Sequence, residues 1–310
     1  MASYLLLARA VPNPSSAAMH ETTPHVFSVD VEEYFQVSAF DGSIDRARWP
    51  EFPSRVAASV DWLLEVLHQH QARGTFFVLG CLVSQHAPLV RRIHDAGHEI
   101  ASHGWSHRKL TSLSRSEFRE EIRSSKDALE WVAGAPVVGF RAPSFSLVPG
   151  LEWAFDILLE EGYRYDSSLF PIRRPGYGYP GTPHRPHEIA RRAGTLVEFP
   201  MTVLSVAGAD VPAAGGGYFR HFPYAITRAA LASYSRRGTP ATFYIHPWEV
   251  DPHQPRLPVP ALQRLRHYGG IGQARQRVLR LLREFRFTSF ARLMRTSPVA
   301  TMRSFSAYAS

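Results

Sequence analysis

Between His25 and Pro247 the chain alternates short β-rich segments with amphipathic helical ones, and this alternation restricts the fold more than any other feature. "HVFSVDV", "GTFFVLG", "HEIAS", "VVGFRAP", "YRYDSS", "TLVEFPMTV" and "ATFYIHP" read as strands, several bounded by glycine or proline. The intervening segments carry apolar residues at helical spacing. Residues 54–71 have Val56, Val60, Leu63, Leu64 and Leu67; "APLVRRIHDAG" stops at Gly97 and "LEWAFDILLEEG" at Gly162. Residues 114–132 and "YAITRAALASYSRRG" read as further helices. Strand and helix in turn predict an α/β fold with a parallel sheet and crossover helices. About seven repeats suit a closed, distorted (β/α)7-type barrel better than a flat doubly wound sheet. In such barrels the catalytic groups sit at the C-terminal ends of the strands.

Two stretches break the repeat. Residues 173–192, rich in Pro, Gly and His, are expected to form a long loop over the barrel mouth. "AGGGYFRHFPY" reads as a second, glycine-rich loop. It lacks the Lys-Ser/Thr of a phosphate-binding loop, and so implies a tight turn or close backbone approach to substrate. From Pro255 the chain runs into a basic amphipathic helix, whose Leu and Val face is expected to pack on the barrel rather than bind a membrane. Residues 291–310 are expected to be a flexible tail, and residues 1–24 a disordered leader or an upstream start with Met19 as the true one. "YLLLA" is short for a signal-peptide core and lacks a basic flank, which favours a cytoplasmic protein over a periplasmic or exported one.

Apolar residues make up 45% and charged residues 20% of the 310, the proportions of an ordinary globular protein. A net charge of +8, mostly from Arg, suits acidic partners, but no DNA- or RNA-binding motif accompanies it. No apolar run reaches the roughly 20 residues that span a bilayer. Cys81 is the only cysteine, which excludes an internal disulfide and a thiolate zinc cluster.

The polar residues with chemical potential gather at predicted strand ends: Asp30 and Glu32, His103, Arg141, Asp166 and His246. In an extended strand residues i and i+2 share a face, so Asp30 and Glu32 point together. Paired carboxylates can divide labour, one binding a metal and the other taking a proton from a water that the metal acidifies. His103 and His107 in "SHGWSH", four apart after a strand, can hold the same divalent ion and leave positions open. Zn fits imidazole and carboxylate donors best, with Co, Ni, Fe or Mn also compatible.

The motifs "FSVDVEEYF", "HEIASHGWSH", "FRAPSFS", "YDSSLFP" and "YIHPWE" occur in the order found in the polysaccharide deacetylases (NodB-like, carbohydrate esterase family 4), which the chain resembles over residues 25–251. The wording "DVEEYFQVSAF", "GGGYFR" and "HPWEVDPHQPRLP" is most similar to the deacetylases that accompany exosortase and PEP-CTERM exopolysaccharide loci. That likeness implies one deacetylase domain over residues 25–290, with a helical C-terminal extension at 255–290. It implies Asp30 as catalytic base, His103 and His107 as metal ligands, and Arg141 as the residue steadying the base. It further implies His246 as general acid, Asp166 as the carboxylate orienting it, and the Ser144 amide as oxyanion donor. Val31 stands where most members have a second aspartate, which makes Glu32 the third ligand. Trp105, Phe145 and Trp248 are candidate walls for an acetyl group or sugar face, or simply rim packing.

The function implied is metal-dependent hydrolysis of N-acetyl groups on an amino-sugar polysaccharide or lipid-linked oligosaccharide, in exopolysaccharide biosynthesis. Two other readings remain open at this level. One is a metal-dependent amidase acting on a small molecule or cyclic imide; the other is an inactive carbohydrate-binding barrel.

Overall fold

The computed structural model describes residues 24–296. Its sheet is built outward from β1 (His25–Val31), every residue of which is buried. A strand covered on both faces needs a near-continuous apolar run, and "HVFSVDV" supplies one broken only by the polar groups that serve the site. Strands β2 (Gly74–Val78), β3 (Glu99–Ser102), β4 (Gly139–Phe140) and β5 (Tyr165–Asp166) join on one side, each parallel to the last. Beyond β5 comes a hairpin of β6 (His187–Arg191) and β7 (Gly194–Glu198), with β7 parallel to β5 and β6 at the edge. A separate antiparallel hairpin holds β8 (Val203–Val206) and β9 (Ala209–Pro212). On the other side of β1 lies β10 (Thr242–Ile245), and β11 (Phe287–Thr288) pairs with the start of β1.

Helices α1 (Val56–Gln69), α2 (Val83–Asp95), α3 (Arg115–Ala133) and α4 (Trp153–Glu160) make the successive crossovers. α3 shows why these segments are helical. Ser114 caps it in a reciprocal box with Glu117, Gly134 ends it in the left-handed conformation, and Phe118, Ile122, Leu129 and Val132 form its buried stripe. Burying each such side chain contributes roughly 1.5–3 kcal/mol. Helices α5 (Gly216–His221) and α6 (Tyr224–Arg236) precede β10, and α7 (Ala261–Tyr268), α8 (Ile271–Glu284) and α9 (Phe290–Thr296) follow it.

The α/β barrel-type fold is as the sequence implies, with four differences. The ladder is not closed. Its path ends at β10 and β6, and the seam between β7 and β10 is bridged by Thr202 Oγ1, which donates to the Thr242 carbonyl, and by the Tyr244 amide, which donates to Ala214. "TLVEFPMTV" is not one strand but the end of β7 and the start of β8, divided where Pro200 has no amide to pair.

Both expected loops contain regular structure. Residues 187–191 of the first are β6, and "GGYFRH" of the second is α5. Two of the glycines there let the backbone approach β10 closely. Gly215 has φ 142°, and a Cβ on it would lie 1.8 Å from the Tyr244 carbonyl oxygen. The tail is also firmer than expected, because Phe290 and Leu293 of α9 are buried against Phe77 and Phe199. Residues 1–23 and 297–310, on which the leader, Met19 and the rest of the tail fall, lie outside the described residues.

As expected, α8 packs its Val278, Leu281 and Leu282 face inward.

Candidate active site

Six of the sequence-selected residues meet at the C-terminal ends of β1, β3, β4 and β10. Asp30 and Glu32 project to the same side and are both 2% exposed. Arg141, fully buried just past β4, donates from Nη1 to Asp30 Oδ1 at 2.6 Å and to Ser28 Oγ at 2.9 Å. Its other donors reach the Ser167 carbonyl and Ser167 Oγ, both at 3.0 Å, and its guanidinium lies 4.1 Å from the Phe77 ring centroid. A planar guanidinium held by four hydrogen bonds presents Asp30 in one orientation.

Glu32, His103 and His107 form the one group among the described residues whose donor atoms all lie close enough to share a metal ion, within 4.8 Å of one another. His103 Nδ1 sits 2.9 Å from the Arg141 carbonyl oxygen. Donation to that oxygen fixes the tautomer and turns Nε2 inward as a lone-pair donor. Burial pushes His103 down to about 4, so its ring is neutral in the range where a ligand must be. His107 Nε2 is 2.7 Å from Glu32 Oε2. Burial opposes ionisation of Glu32, yet His107, His246 and His103 hold its carboxyl well below the usual carboxylate range.

The donor set passes a test of fit for a cation. Glu32 Oε1 accepts a hydrogen bond from Trp248 Nε1 at 3.0 Å, which leaves the buried Oε2 turned toward the His107 ring nitrogen 2.7 Å away. A carboxylate anchored through one oxygen, with the other crowded against imidazole nitrogens that share its reach, is a donor set that a divalent ion completes.

The turn carrying the histidines is held from outside. His107 has φ 56°, a conformation that β-carbon residues adopt rarely. Arg46 donates to the carbonyls of Ser106 at 2.5 Å and His107 at 3.1 Å. Glu121 accepts from the amides of Trp105 at 3.0 Å and Ser106 at 2.9 Å. Neither Arg46 nor Glu121 has a sequence signal that links it to the "SHGWSH" turn.

His246 follows β10 and exposes 18% of its side chain. Its Nε2 is 3.9 Å from Asp30 Oδ2 and 3.7 Å from Glu32 Oε1. The expected orienting residue is corrected here. Nδ1 of His246 meets Glu249 Oε2 at 2.9 Å, and the same oxygen accepts the His246 backbone amide at 3.0 Å. Glu249 in turn receives Arg220 Nε at 2.5 Å, and Arg220 Nη1 donates to the His267 carbonyl at 2.8 Å. Burial works against the charged His246 ring, but Glu249, Glu32 and Asp30 outweigh it and raise its pKa to about 9.

Asp166 instead faces Glu198, its register partner on β7, and accepts Ser168 Oγ at 2.5 Å. Burial pushes Asp166 up to about 6 and, with the Asp166 charge beside it, Glu198 well above the usual carboxylate range, so ionising both at once is disfavoured.

The remaining expected residues are less central. Ser144 is half-buried at φ 57° in the turn after Arg141, and its hydroxyl donates to Ser38 Oγ at 2.7 Å. Trp105 is exposed, between the two histidines. Phe145 and Trp248 are buried, which makes both of them packing residues; Trp248 stacks on His246 with ring centroids 5.1 Å apart.

Residues 51–148 match the family described as polysaccharide deacetylase, and residues 167–295 match a domain of unknown function, DUF3473. The first match contains His103, His107 and Arg141; the second contains Arg220, His246 and Glu249. The chain is 32% identical over 93 residues to a peptidoglycan-N-acetylglucosamine deacetylase of Bacillus cereus, covering 30% of this chain and 34% of that protein. It is 38% identical over 76 residues to a chitooligosaccharide deacetylase of Rhizobium leguminosarum bv. trifolii, covering 24% of this chain and 34% of that protein. The matched stretches thus span about a third of these relatives.

A solved Mycobacterium smegmatis structure described as a polysaccharide deacetylase aligns over 97% of both chains with a TM-score of 0.62 and 20% identity, a likeness of fold alone. Family model and curated relatives together support the polysaccharide deacetylase family. They favour neither the small-amide reading nor the inactive barrel.

Proposed function

We propose that this chain is a metal-dependent hydrolase that removes N-acetyl groups from an amino-sugar glycan. The observation that carries the reading is the convergence of Arg141-bound Asp30, the Glu32–His103–His107 donor set and Glu249-bound His246 within one buried cluster.

Glu32, His103 and His107 would hold the cation, with Zn favoured by imidazole and carboxylate donors over Co, Ni, Fe or Mn. When bound, a divalent ion supplies Lewis acidity to the acetyl carbonyl and acidifies a water. The chain's own residues do the rest. Asp30, held through Oδ1 by Arg141, takes a proton from the attacking water at Oδ2. The amide of Ser144 donates to the carbonyl oxygen as charge develops there. His246 delivers a proton from Nε2 to the departing amine nitrogen while Glu249 holds Nδ1–H, so the C–N bond breaks and acetate and a free amine result. Trp105, exposed beside the histidines, would meet a sugar face.

In this reading the substrate is an N-acetylated polysaccharide or lipid-linked oligosaccharide, modified in the cytoplasm during exopolysaccharide biosynthesis. The helical segment 255–290 is then the extension particular to the exosortase-associated subgroup. The test is acetate release from N-acetylated oligosaccharides by protein of known metal content, run beside carboxylate or ammonia release from small cyclic amides. Acetate release that vanishes in Asp30→Asn and His246→Ala supports the reading. Turnover of the cyclic amides alone overturns it.

A further inference from the structure

Helix α7 is inverted for a helix on a water-facing surface. It buries His267 and Tyr268 and leaves Leu262 and Leu265 59% and 66% exposed. Its neighbour α8 does the reverse, with Val278, Leu281 and Leu282 turned into the core. At about 100° per residue, Leu262, Leu265 and Arg266 fall on one face of α7. An apolar pair turned outward calls for a partner that can take it up.

Charge indicates which partner. Residues 252–283 contain seven arginines and neither Asp nor Glu. Three of the seven are engaged within the fold: Arg275 by the Val250 carbonyl, Arg277 by the carbonyls of Phe219, Arg220 and Phe222, and Arg280 by Glu284. Arg264 and Arg266 are exposed and in no ion pair among the described residues, and Arg256 lies exposed over the Tyr268 ring. Leucines rimmed by uncompensated arginines match the chemistry of an anionic lipid surface. A hydrated acidic polymer would answer the arginines but gain nothing from the leucines. No described helix is long and apolar enough to cross a membrane, so attachment through α7 is peripheral.

We propose that α7 and the turn before it dock on an anionic lipid surface, Leu262 and Leu265 entering the acyl boundary while Arg256, Arg264 and Arg266 meet headgroup phosphates. The docking face is close to the reaction centre. His267 of α7 stacks on Trp248 at 4.2 Å, and Trp248 stacks on His246 at 5.1 Å. Docking would therefore present the site at the membrane. The inference concerns binding alone and does not rest on the reaction proposed above.

The experiment is co-sedimentation of the full chain with phosphatidylcholine vesicles, with and without phosphatidylglycerol. The expected result is binding to the phosphatidylglycerol vesicles that weakens with salt. Leu262→Ser/Leu265→Ser should weaken it at least ~10-fold. Arg264→Gln/Arg266→Gln should weaken it roughly 10-fold or more, at about one kcal/mol per charge near such a surface. All four side chains are exposed, so unchanged thermal melting of the variants separates lost docking from lost fold. Protein left in the supernatant with both vesicle types overturns the proposal. So does binding that the leucine variant leaves unchanged, or tighter binding to a soluble acidic polysaccharide that the leucines do not affect.

Discussion

Replacing Glu249 by leucine asks which carboxylate positions His246. Glu249 and Arg220 are at most 2% exposed, and their contact lies in the interior. Taking away one partner leaves the Arg220 guanidinium buried without a counter-charge, which costs roughly 3–5 kcal/mol. In a domain of this size that lowers the melting temperature by about 10 °C. Removing the acceptor at Nδ1 also frees His246 to rotate and to take the wrong tautomer, so kcat should fall ~10²–10⁴-fold. The double variant Arg220→Met/Glu249→Leu replaces the pair by apolar groups of similar volume and should recover much of the lost stability. Its kcat should stay low, because nothing holds Nδ1. Asp166→Asn should keep kcat within about tenfold of the parent, since Asp166 faces Glu198 and Ser168. The assay is acetate release with melting measured on the same samples. Recovery of kcat together with stability in the double variant would refute the positioning role. Loss of turnover in Asp166→Asn with none in Glu249→Leu would restore Asp166 to it.

Other expectations follow from the same geometry. Glu32→Ala should lose bound metal, as should the parent after chelation. Metal analysis with melting should show both less stable, and the parent alone rescued by added zinc. Gly215→Ala places a methyl against the Tyr244 carbonyl at a φ of 142°, and should destabilise by at least roughly 2 kcal/mol in denaturant unfolding. His25 and His98 are pushed down to about 4 by burial, and each accepts a backbone amide at Nδ1. The unfolded chain therefore takes up protons first as pH falls. Stability should be full above about 6.5 and decline toward about 4, by up to roughly 3 kcal/mol per ring. A melting temperature flat across that window contradicts it.

Much of this was legible in the sequence. The period of two in "VDVE" puts Asp30 and Glu32 on one face, and the strand "EIAS" ends where His103 must stand. Position along the β/α repeat brought His103, Arg141 and His246 to one rim although they are far apart in the chain. Glu249 carried a readable signal that was missed. "HPWE" places a carboxylate three residues after His246, and Pro247–Val250 form a 3₁₀ turn, in which i and i+3 align. Arg220 carried none, because its partnership spans 29 residues between α5 and that turn. Asp166 was misjudged because a strand-end carboxylate can face along the sheet as well as into the mouth, and pairing with β7 decides between them. The edge strand β6 was hidden because a stretch rich in Pro, Gly and His gives no apolar period, and α9 because its seven residues carry only two buried anchors.

The central claim is that a single cation sits among Glu32, His103 and His107 beside Asp30. Anomalous diffraction at the zinc absorption edge, from crystals of the metal-loaded protein, tests it most directly. The account predicts one strong peak about 2.0–2.2 Å from a nitrogen of each histidine and from Glu32 Oε2. A peak bound elsewhere, or none at that position in protein shown to carry a stoichiometric metal, contradicts it.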